Sequence, residues 1–294
     1  MKVLVLGATG TVGSQVVREL VGRGVEVLAL TRDSAKAKAM PAGVHGIVGD
    51  LLDPATIRSA FRGADGVFLL NPVATTETHE GLMAVNGAKM AGVKRLVYLS
   101  VHHVRRAPHL PHFGSKISVE AAIEASEIPF TILAPNNFYQ NDYFFRDAIV
   151  QHGVYPQPIG DVGLSRVDVR DIAEAAALAL TTPGHEGQTY SLAGPEPMTG
   201  ESTAAVWSRA LGRKVAYAGN DLDAWEHQAL QYLPGWMVFD LRLMYAYFQE
   251  EALKATHAEI ERMTRLLGHP PRSFEAFARE TAEAWSREGS GVTA

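Results

Sequence analysis

Three glycines near the N-terminus constrain this chain more than any other feature. Gly7, Gly10 and Gly13 stand three residues apart, directly after the apolar run VLVL and before apolar residues at helical spacing. A tight turn from strand to helix favours glycine at the first position. Glycine at the second lets a pyrophosphate approach the backbone, and glycine at the third lets the helix pack on the strand. A glycine-rich turn without a ligand is the alternative. The strand-turn-helix context favours dinucleotide binding, to which we assign the three glycines with Thr9, Thr11 and Val12.

Alternation of short apolar runs with amphipathic stretches predicts the fold class. The runs at 2–6, 25–30, 44–48, 66–70, 95–99 and 130–133 are predicted strands, and 12–21, 54–61, 79–90 and 116–125 are predicted helices. Strands that are apolar throughout indicate a parallel sheet covered on both faces. Because crossovers are right-handed, we expect an α/β fold with a Rossmann-type doubly wound parallel sheet.

The second half of the chain has a different character. Strand signals become sparse after residue 136, and an alanine-rich helix at 171–180 and longer helical stretches follow. We therefore predict an NAD(P)-binding domain at 1–150, to which residues 160–195 contribute, and a smaller, mainly helical C-terminal substrate lobe at 151–294.

Composition excludes several classes of function. The formal net charge of −5 is spread along the chain without a basic block, so nucleic acid is not an expected partner. The absence of cysteine removes disulfides and thiolate chemistry. No apolar stretch approaches the roughly 20 residues of a membrane span, and the N-terminus lacks a signal-peptide pattern. We expect no membrane association and a cytoplasmic location.

The residues after the second predicted strand indicate which dinucleotide is preferred. An NAD site usually has a carboxylate about 20 residues beyond the glycines, whereas an arginine there suits the 2′-phosphate of NADP. The chain reads ALTRD, with Arg32 first and Asp33 next. Asp33 could pair with Arg32 or take the carboxylate role, and Arg32 could be a solvated loop cation. The charge argument favours NADP(H) over NAD(H).

Further candidates lie at the ends of later strands, because ligands of open α/β sheets bind at the carboxyl edge. We predict cofactor contacts from the following residues: Asp50, Leu51, Asn71, Pro72, Ser100, Lys116, Pro135, Asn136, Asn137 and Phe138. Each could equally be a turn or packing residue.

The order of these motifs along the chain resembles a known family. GATGTVG, GDLLD, FLLNP, LVYLSV, the lysine of HFGSK, PNNFYQN, VDVRDIAEAAALAL, QTYSLAGPE and GHPPRSFEAFARE follow one another. This order is similar to that of the NmrA-like proteins, an atypical group within the short-chain dehydrogenase/reductase superfamily. The resemblance implies a Rossmann domain that binds NADP(H) and a small C-terminal lobe that closes the substrate cleft. It also implies either a reductase or a non-catalytic regulator that acts through a protein partner.

The wider dehydrogenase class supplies an expectation for catalysis. Its members use a Tyr-x-x-x-Lys pair and an upstream serine, for which Lys116 and Ser100 are the matching positions here. The tyrosine position holds His112. The proton could therefore come from His112, or from Lys116, Tyr139 or water, or no chemistry could occur.

The four histidines around this segment do not predict a metal site. His102, His103, His109 and His112 have no nearby cysteine, and no HExxH pattern is complete. The functional hypothesis is an NADPH-dependent oxidoreductase that passes hydride to an apolar conjugated acceptor, such as a quinone, an enone or an aromatic dye. The alternative is an NADP(H)-binding sensor. A second copy of the chain or a regulatory protein is the expected macromolecular partner.

Overall fold

Strands and helices alternate regularly in the first half of the chain. The computed structural model describes residues 1–290 of the 294-residue chain. The strands are β1 (Lys2–Val5), β2 (Glu26–Thr31), β3 (Val44–Val48), β4 (Gly66–Leu69), β5 (Arg95–Leu99), β6 (Phe130–Pro135), β7 (Val154–Tyr155), β8 (Gln188–Leu192) and β9 (Ala216–Tyr217).

Helices connect these strands and make up most of the later sequence. They are α1 (Thr11–Gly22), α2 (Ser34–Lys38), α3 (Pro54–Ala60), α4 (Glu77–Met90), α5 (Pro111–Glu124), α6 (Arg146–Val150), α7 (Val169–Thr181), α8 (Gly200–Leu211), α9 (Leu222–Ala229), α10 (Gly235–Glu251), α11 (His257–Leu267) and α12 (Phe274–Ser290). Short 3-10 segments occur at Val104–Arg106 and Tyr139–Phe145. Between residues 1 and 290 there is no helix of the length and apolarity that a membrane crossing requires.

The chain divides into two compact units. The first contains Met1–Pro135, Val169–Leu192 and Arg262–Gly268, and the second contains Asn136–Asp168, Ala193–Glu261 and, among the described residues, 269–290. The sequence boundary at residue 150 differs from this division. The backbone at Phe138 pairs with Val167, so the residues after β6 group with the second unit. The predicted lobe at 151–294 also ends beyond the described residues.

The sheet of the first unit has the predicted topology. Its seven strands are parallel in the order β3-β2-β1-β4-β5-β6-β8. Leu4 of β1 lies beside Leu28 on one side and Val67 on the other. The strand order therefore reverses between β1 and β4, which confirms a Rossmann-type doubly wound α/β fold.

Alternating side chains fill the two faces of this sheet. Leu4, Leu69 and Tyr98 contribute to a buried cluster with residues of α3, α4 and α5. Successive residues of a strand point to opposite faces, which directs Val3 and Val5 to the other side. There α1 packs against α7, and the apolar stripe predicted for α1 is buried.

The start of α5 corrects one sequence expectation. The helix predicted from Lys116 begins five residues earlier, at Pro111. Proline suits the first helical position, because its missing N–H would have no partner there and its φ angle is already helical. Lys116 is consequently inside the helix, one turn after His112.

The second unit is mainly helical, as the sequence predicts, with β7 and β9 forming a short parallel pair. It contains a fully buried ion pair between Asp142 and Arg166. Asp142 accepts from Arg166 Nη2 at 2.6 Å, Gln157 Nε2 at 2.7 Å and Trp207 Nε1 at 2.9 Å. Arg166 also donates to the carbonyl of Phe138 at 2.8 Å. Three side chains donate to this carboxylate, so the cluster stabilises the fold.

We expect the substitution Asp142→Ala to destabilise the protein strongly. It leaves a fully buried guanidinium without its counter-charge, which costs about 3–5 kcal/mol of unfolding free energy. Chemical denaturation followed by tryptophan fluorescence and circular dichroism measures the change. The control is the double variant Asp142→Ala/Arg166→Met, which removes both charges and should recover part of the loss. A loss below about 1 kcal/mol for the single variant would contradict the assignment.

Candidate functional site

A cavity of about 450 Å³ opens at the carboxyl edge of β1 to β4, where the strand order reverses. This is where ligands of open α/β sheets bind. Eight of the predicted cofactor residues lie together on its wall: Gly7, Thr9, Gly10, Arg32, Asp50, Leu51, Asn71 and Pro72. Leu6, Leu30, Thr31, Asp33, Lys36, Gly49, Leu70 and Glu80 complete the lining.

The glycine turn forms the floor of this cavity. Gly7 has φ +68°, a conformation that side chains disfavour. A Cβ on Gly13 would lie 2.1 Å from the carbonyl oxygen of Gly7, so only glycine allows α1 to start this close to β1. Gly10 is the N-cap of α1 and offers no side chain to its first N–H groups. The first turn, which begins with Thr11, Val12 and Gly13, therefore suits a phosphate.

Asp33, which the sequence allowed either to pair with Arg32 or to act as the carboxylate of an NAD site, instead binds the backbone of α2. Its Oδ1 accepts from the backbone N–H of Ala35 at 2.7 Å and of Lys36 at 3.1 Å, which makes it the N-cap of α2. Both hydrogen bonds lower the pKa of Asp33, and the one from Lys36 has the larger effect. The exposed guanidinium of Arg32 has no hydrogen-bond or ion-pair partner among residues 1–290. Arg32 and Lys36 thus present two cations to one end of the cavity.

The cavity lining also includes a buried amide, that of Asn71. Asn71 is 3% exposed, and neither its Nδ2 nor its Oδ1 has a hydrogen-bond partner among the described residues. Burying unpaired polar atoms is unfavourable, and a ligand with a donor and an acceptor would relieve the cost. Asp50 is instead occupied locally, since its Oδ1 accepts from the N–H of Leu52 at 2.9 Å. These residues fit a polar ligand such as a nucleotide.

The predicted proton-handling residues lie on α5 beside an acidic residue of α4. Lys116 Nζ is 2.8 Å from Glu77 Oε1, and His112 Nδ1 is 3.0 Å from Glu77 Oε2. The side chains of Glu77 and Lys116 are each 4% exposed, against 17% for His112. One carboxylate therefore binds both predicted groups.

Ser100, at the end of β5, has a different acidic neighbour. Its hydroxyl donates to Glu120 Oε1 at 2.5 Å, and Arg105 lies 3.1 Å from the other oxygen of Glu120. Burial raises the pKa of Glu120 despite these two partners. Ser100 and Lys116 thus each have a carboxylate partner of their own.

The residues after β6 are held within the second unit. Asn136 donates to the carbonyl of Leu253 at 2.7 Å, and Asn137 Oδ1 accepts from Arg166 Nε at 3.0 Å. The hydroxyl of buried Tyr139 donates to the carbonyl of Arg272 at 3.1 Å. Pro135 ends β6, and Phe138 follows as a half-buried residue. The functional roles assigned to these residues from sequence stay predictions.

Sequence reasoning missed Lys36, Glu77 and Glu80. Aspartate is a common N-cap residue, so reading Asp33 as a helix start would have placed Lys36 in the first turn beside the cavity. Glu77 precedes the helix predicted from residue 79, so its position opposite α5 was not visible.

The sheet order and the edge cavity define a Rossmann-class α/β protein. Residues 1–278 match the NmrA-like family. The chain belongs to that family, which confirms the resemblance seen in its motifs.

Relatives with established names are similar over their whole lengths. The chain is 34% identical over 291 residues to an NAD(P)H azoreductase of Xenophilus azovorans, covering 96% of this chain and 99% of the relative. It is 33% identical to a (4-alkanoyl-5-oxo-2,5-dihydrofuran-3-yl)methyl phosphate reductase of Streptomyces griseus, covering 97% and 100%. An NADPH complex of an NADPH-dependent quinone oxidoreductase from Escherichia coli superposes with a TM-score of 0.84 at 26% identity, covering 95% and 99%.

The unpaired amide on the cavity wall leads to a stability prediction. We expect Asn71→Leu to raise the unfolding free energy of the ligand-free protein by about 1–2 kcal/mol, because it replaces two unsatisfied polar atoms by apolar ones of similar size. Thermal and chemical denaturation measure the change. Asn86→Leu, at an exposed amide on α4, is the matched control and should change stability by less than about 0.5 kcal/mol. A destabilised Asn71→Leu protein would contradict the prediction.

Proposed function

We propose that the protein is an NADPH-dependent reductase that passes hydride to an apolar conjugated acceptor, such as a quinone, an enone or an azo or other aromatic dye. The observation that carries this proposal is the end-to-end similarity to an NAD(P)H azoreductase. The dihydrofuranyl phosphate reductase and the quinone oxidoreductase support the same class of acceptor, since each name denotes reduction of a conjugated compound.

The cavity supports a particular placement of NADPH. The diphosphate would lie at the glycine turn, where α1 begins without a capping side chain. Arg32 and Lys36 would hold the 2′-phosphate, because two cations converge there and Asp33 is bound to α2. Asp50 and Leu51 would contact the adenosine. Asn71 would bind a polar group of the cofactor beyond the adenosine. Lys116 and Ser100 would serve the nicotinamide ribose.

The chemistry divides between the cofactor and the chain. When bound, the reduced nicotinamide supplies a hydride to the acceptor. The chain binds the cofactor, orients it and supplies the proton that the reduced oxygen or nitrogen of the acceptor takes up. Lys116 Nζ and the imidazole of His112 are the candidate sources, and solvent restores the proton. A cytoplasmic location and a second copy or regulatory protein as partner stay sequence predictions.

We expect Arg32→Ala to weaken NADPH binding selectively. A charged hydrogen bond to a phosphate contributes about 1.5–3 kcal/mol, so the Kd for NADPH should rise roughly tenfold to a hundredfold, whereas that for NADH should change little. Fluorescence titration with both cofactors measures this. Arg62→Ala, at an exposed arginine away from the cavity, is the matched control. Equal affinity of the parent protein for both cofactors would reject the 2′-phosphate assignment.

A panel of quinones, enones and azo dyes tests the reductase itself through the loss of NADPH absorbance. At least one acceptor should be turned over. Lys116→Met should lower kcat by about a hundredfold, since it removes an ammonium proposed to orient the ribose and supply a proton. Lys94→Met, at an exposed lysine, is the control. Tight NADPH binding with no turnover of any acceptor would favour the non-catalytic regulator instead.

A further inference from the structure

Glu77 is a buried carboxylate with two basic side chains of one neighbouring helix as partners. Its Oε2 lies 3.0 Å from His112 Nδ1, and its Oε1 lies 2.8 Å from Lys116 Nζ. A buried carboxylate is unfavourable unless it is paired, and here a single carboxylate serves both partners. We refer to Glu77, His112 and Lys116 as the Glu77 cluster.

Helix geometry explains why these three side chains meet. His112 and Lys116 are four residues apart on α5, and residues at this spacing share one face. On α4, Gly81 follows Glu77 by the same spacing and faces Val119 of α5. A Cβ on Gly81 would lie 2.4 Å from Val119 Cγ2 and 3.3 Å from Asn71 Oδ1. The missing side chain at Gly81 therefore allows α4 to approach α5 closely enough for Glu77 to reach both partners.

Two further glutamates near the cluster have partners of their own, and a buried tyrosine lies beside Lys116. Glu80 of α4 accepts from the hydroxyl of Thr76 at 2.6 Å. Glu120 of α5 binds Ser100 and Arg105. From β5, the ring of Tyr98 lies 5.5 Å from Lys116 Nζ. Burial raises the pKa of the Tyr98 hydroxyl far above its usual value, with Glu77 and Glu120 adding to the effect, so this phenol is neutral at all physiological pH values.

The charge state of Glu77 follows from these contacts. Burial acts to raise the pKa of Glu77, but the hydrogen bond with His112 and the positive charges of Lys116 and His112 outweigh it, so the pKa lies below its usual value. The folded protein therefore keeps this carboxylate ionised from neutral pH down to a lower pH than an ordinary glutamate. An anion is present at the cluster throughout the range in which a reductase of this kind would be assayed.

We propose that Glu77 is the positioning residue for the reduction, holding the Lys116 ammonium and the His112 imidazole in one fixed arrangement. This inference rests on the proposed NADPH-dependent function. Glu77 acts through its neighbours. Its Oε1 anchors the Lys116 ammonium, which retains further N–H groups for the ribose. Its Oε2 favours the imidazole form with the proton on Nδ1 and thereby fixes the ring orientation.

The test compares Glu77→Gln, which keeps the shape and removes the charge, with Glu77→Asp, which keeps the charge. With an acceptor that the parent protein reduces, Glu77→Gln should lower kcat about tenfold to a hundredfold while the KM for the acceptor changes less than about threefold. Glu77→Asp should retain more activity than Glu77→Gln. In the double variant Glu77→Gln/Lys116→Met, the losses should not add, because both substitutions disable the same unit.

Cofactor binding supplies a second readout that does not depend on turnover. Without the carboxylate, the buried Lys116 ammonium loses its counter-charge and its fixed position, so it holds the ribose less well. The Kd of Glu77→Gln for NADPH should therefore rise about threefold to tenfold at neutral pH. Glu77→Asp should stay closer to the parent. Fluorescence titration with NADPH measures both variants.

The controls separate this inference from a folding defect and from the proposed function. Glu124→Gln, at an exposed glutamate of α5, should leave kcat and the NADPH affinity unchanged. If Glu77→Gln does not fold, Gly81→Ala moves α4 away from α5 without altering the cluster residues and should lower both kcat and the NADPH affinity. A parent that binds NADPH but reduces no acceptor defeats the proposed function, and the NADPH affinity of the variants then tests Glu77 alone. A parent-like kcat and NADPH affinity in Glu77→Gln overturn the inference.

Discussion

The close approach of Gly13 to the backbone carbonyl of Gly7 sets the geometry on which the rest of the site depends. With no Cβ at Gly13, the start of α1 lies against the carbonyl of Gly7. A side chain there would push α1 away from the sheet and move the N–H groups of its first turn away from the cavity. The phosphate end of the site is thus built from backbone alone. Its position at the point where strand order reverses follows from the parallel topology, which brings the ends of β1, β2, β3 and β4 to the same edge.

Two buried charged clusters show how burial can serve different purposes in one chain. In the second unit, Asp142 accepts from three different side chains and is fully buried, and the arrangement leaves little for a ligand to add. In the first unit, Glu77 contacts the Lys116 ammonium and one ring nitrogen of His112. These contacts do not use all the N–H groups of the ammonium. A saturated cluster stabilises a fold, whereas a carboxylate that orients an ammonium and an imidazole leaves them chemically competent. The Asp142 cluster is therefore structural, whereas the role that we propose for the Glu77 cluster is functional.

The cavity shows the complementary pattern, in which two polar side chains have no partner among residues 1–290. They are the buried amide of Asn71 and the exposed guanidinium of Arg32, although Asp33 is the next residue. The buried amide is less favourable for the free protein than a hydrogen-bonded one would be. Such groups are expected where a ligand completes the hydrogen bonding, because binding sites give up some stability for affinity.

The sequence by itself determined the α/β class, the strand positions and the glycine turn, because these depend on local periodicity and on the ends of parallel strands. Eight of the residues predicted to contact the cofactor, Arg32 among them, line one cavity, and their roles stay predictions. Two local signals that the sequence analysis did not use are the N-cap at Asp33 and the start of α5 at Pro111. Only the tertiary structure decided that residues 136–150 group with the second unit. It alone brought Glu77 to His112 and Lys116. The contacts of Glu77 depend on which faces of α4 and α5 pack together, and the close approach of the two helices at Gly81 makes them possible. The hydrophobic periodicity of a single segment carries no information about how closely two helices approach.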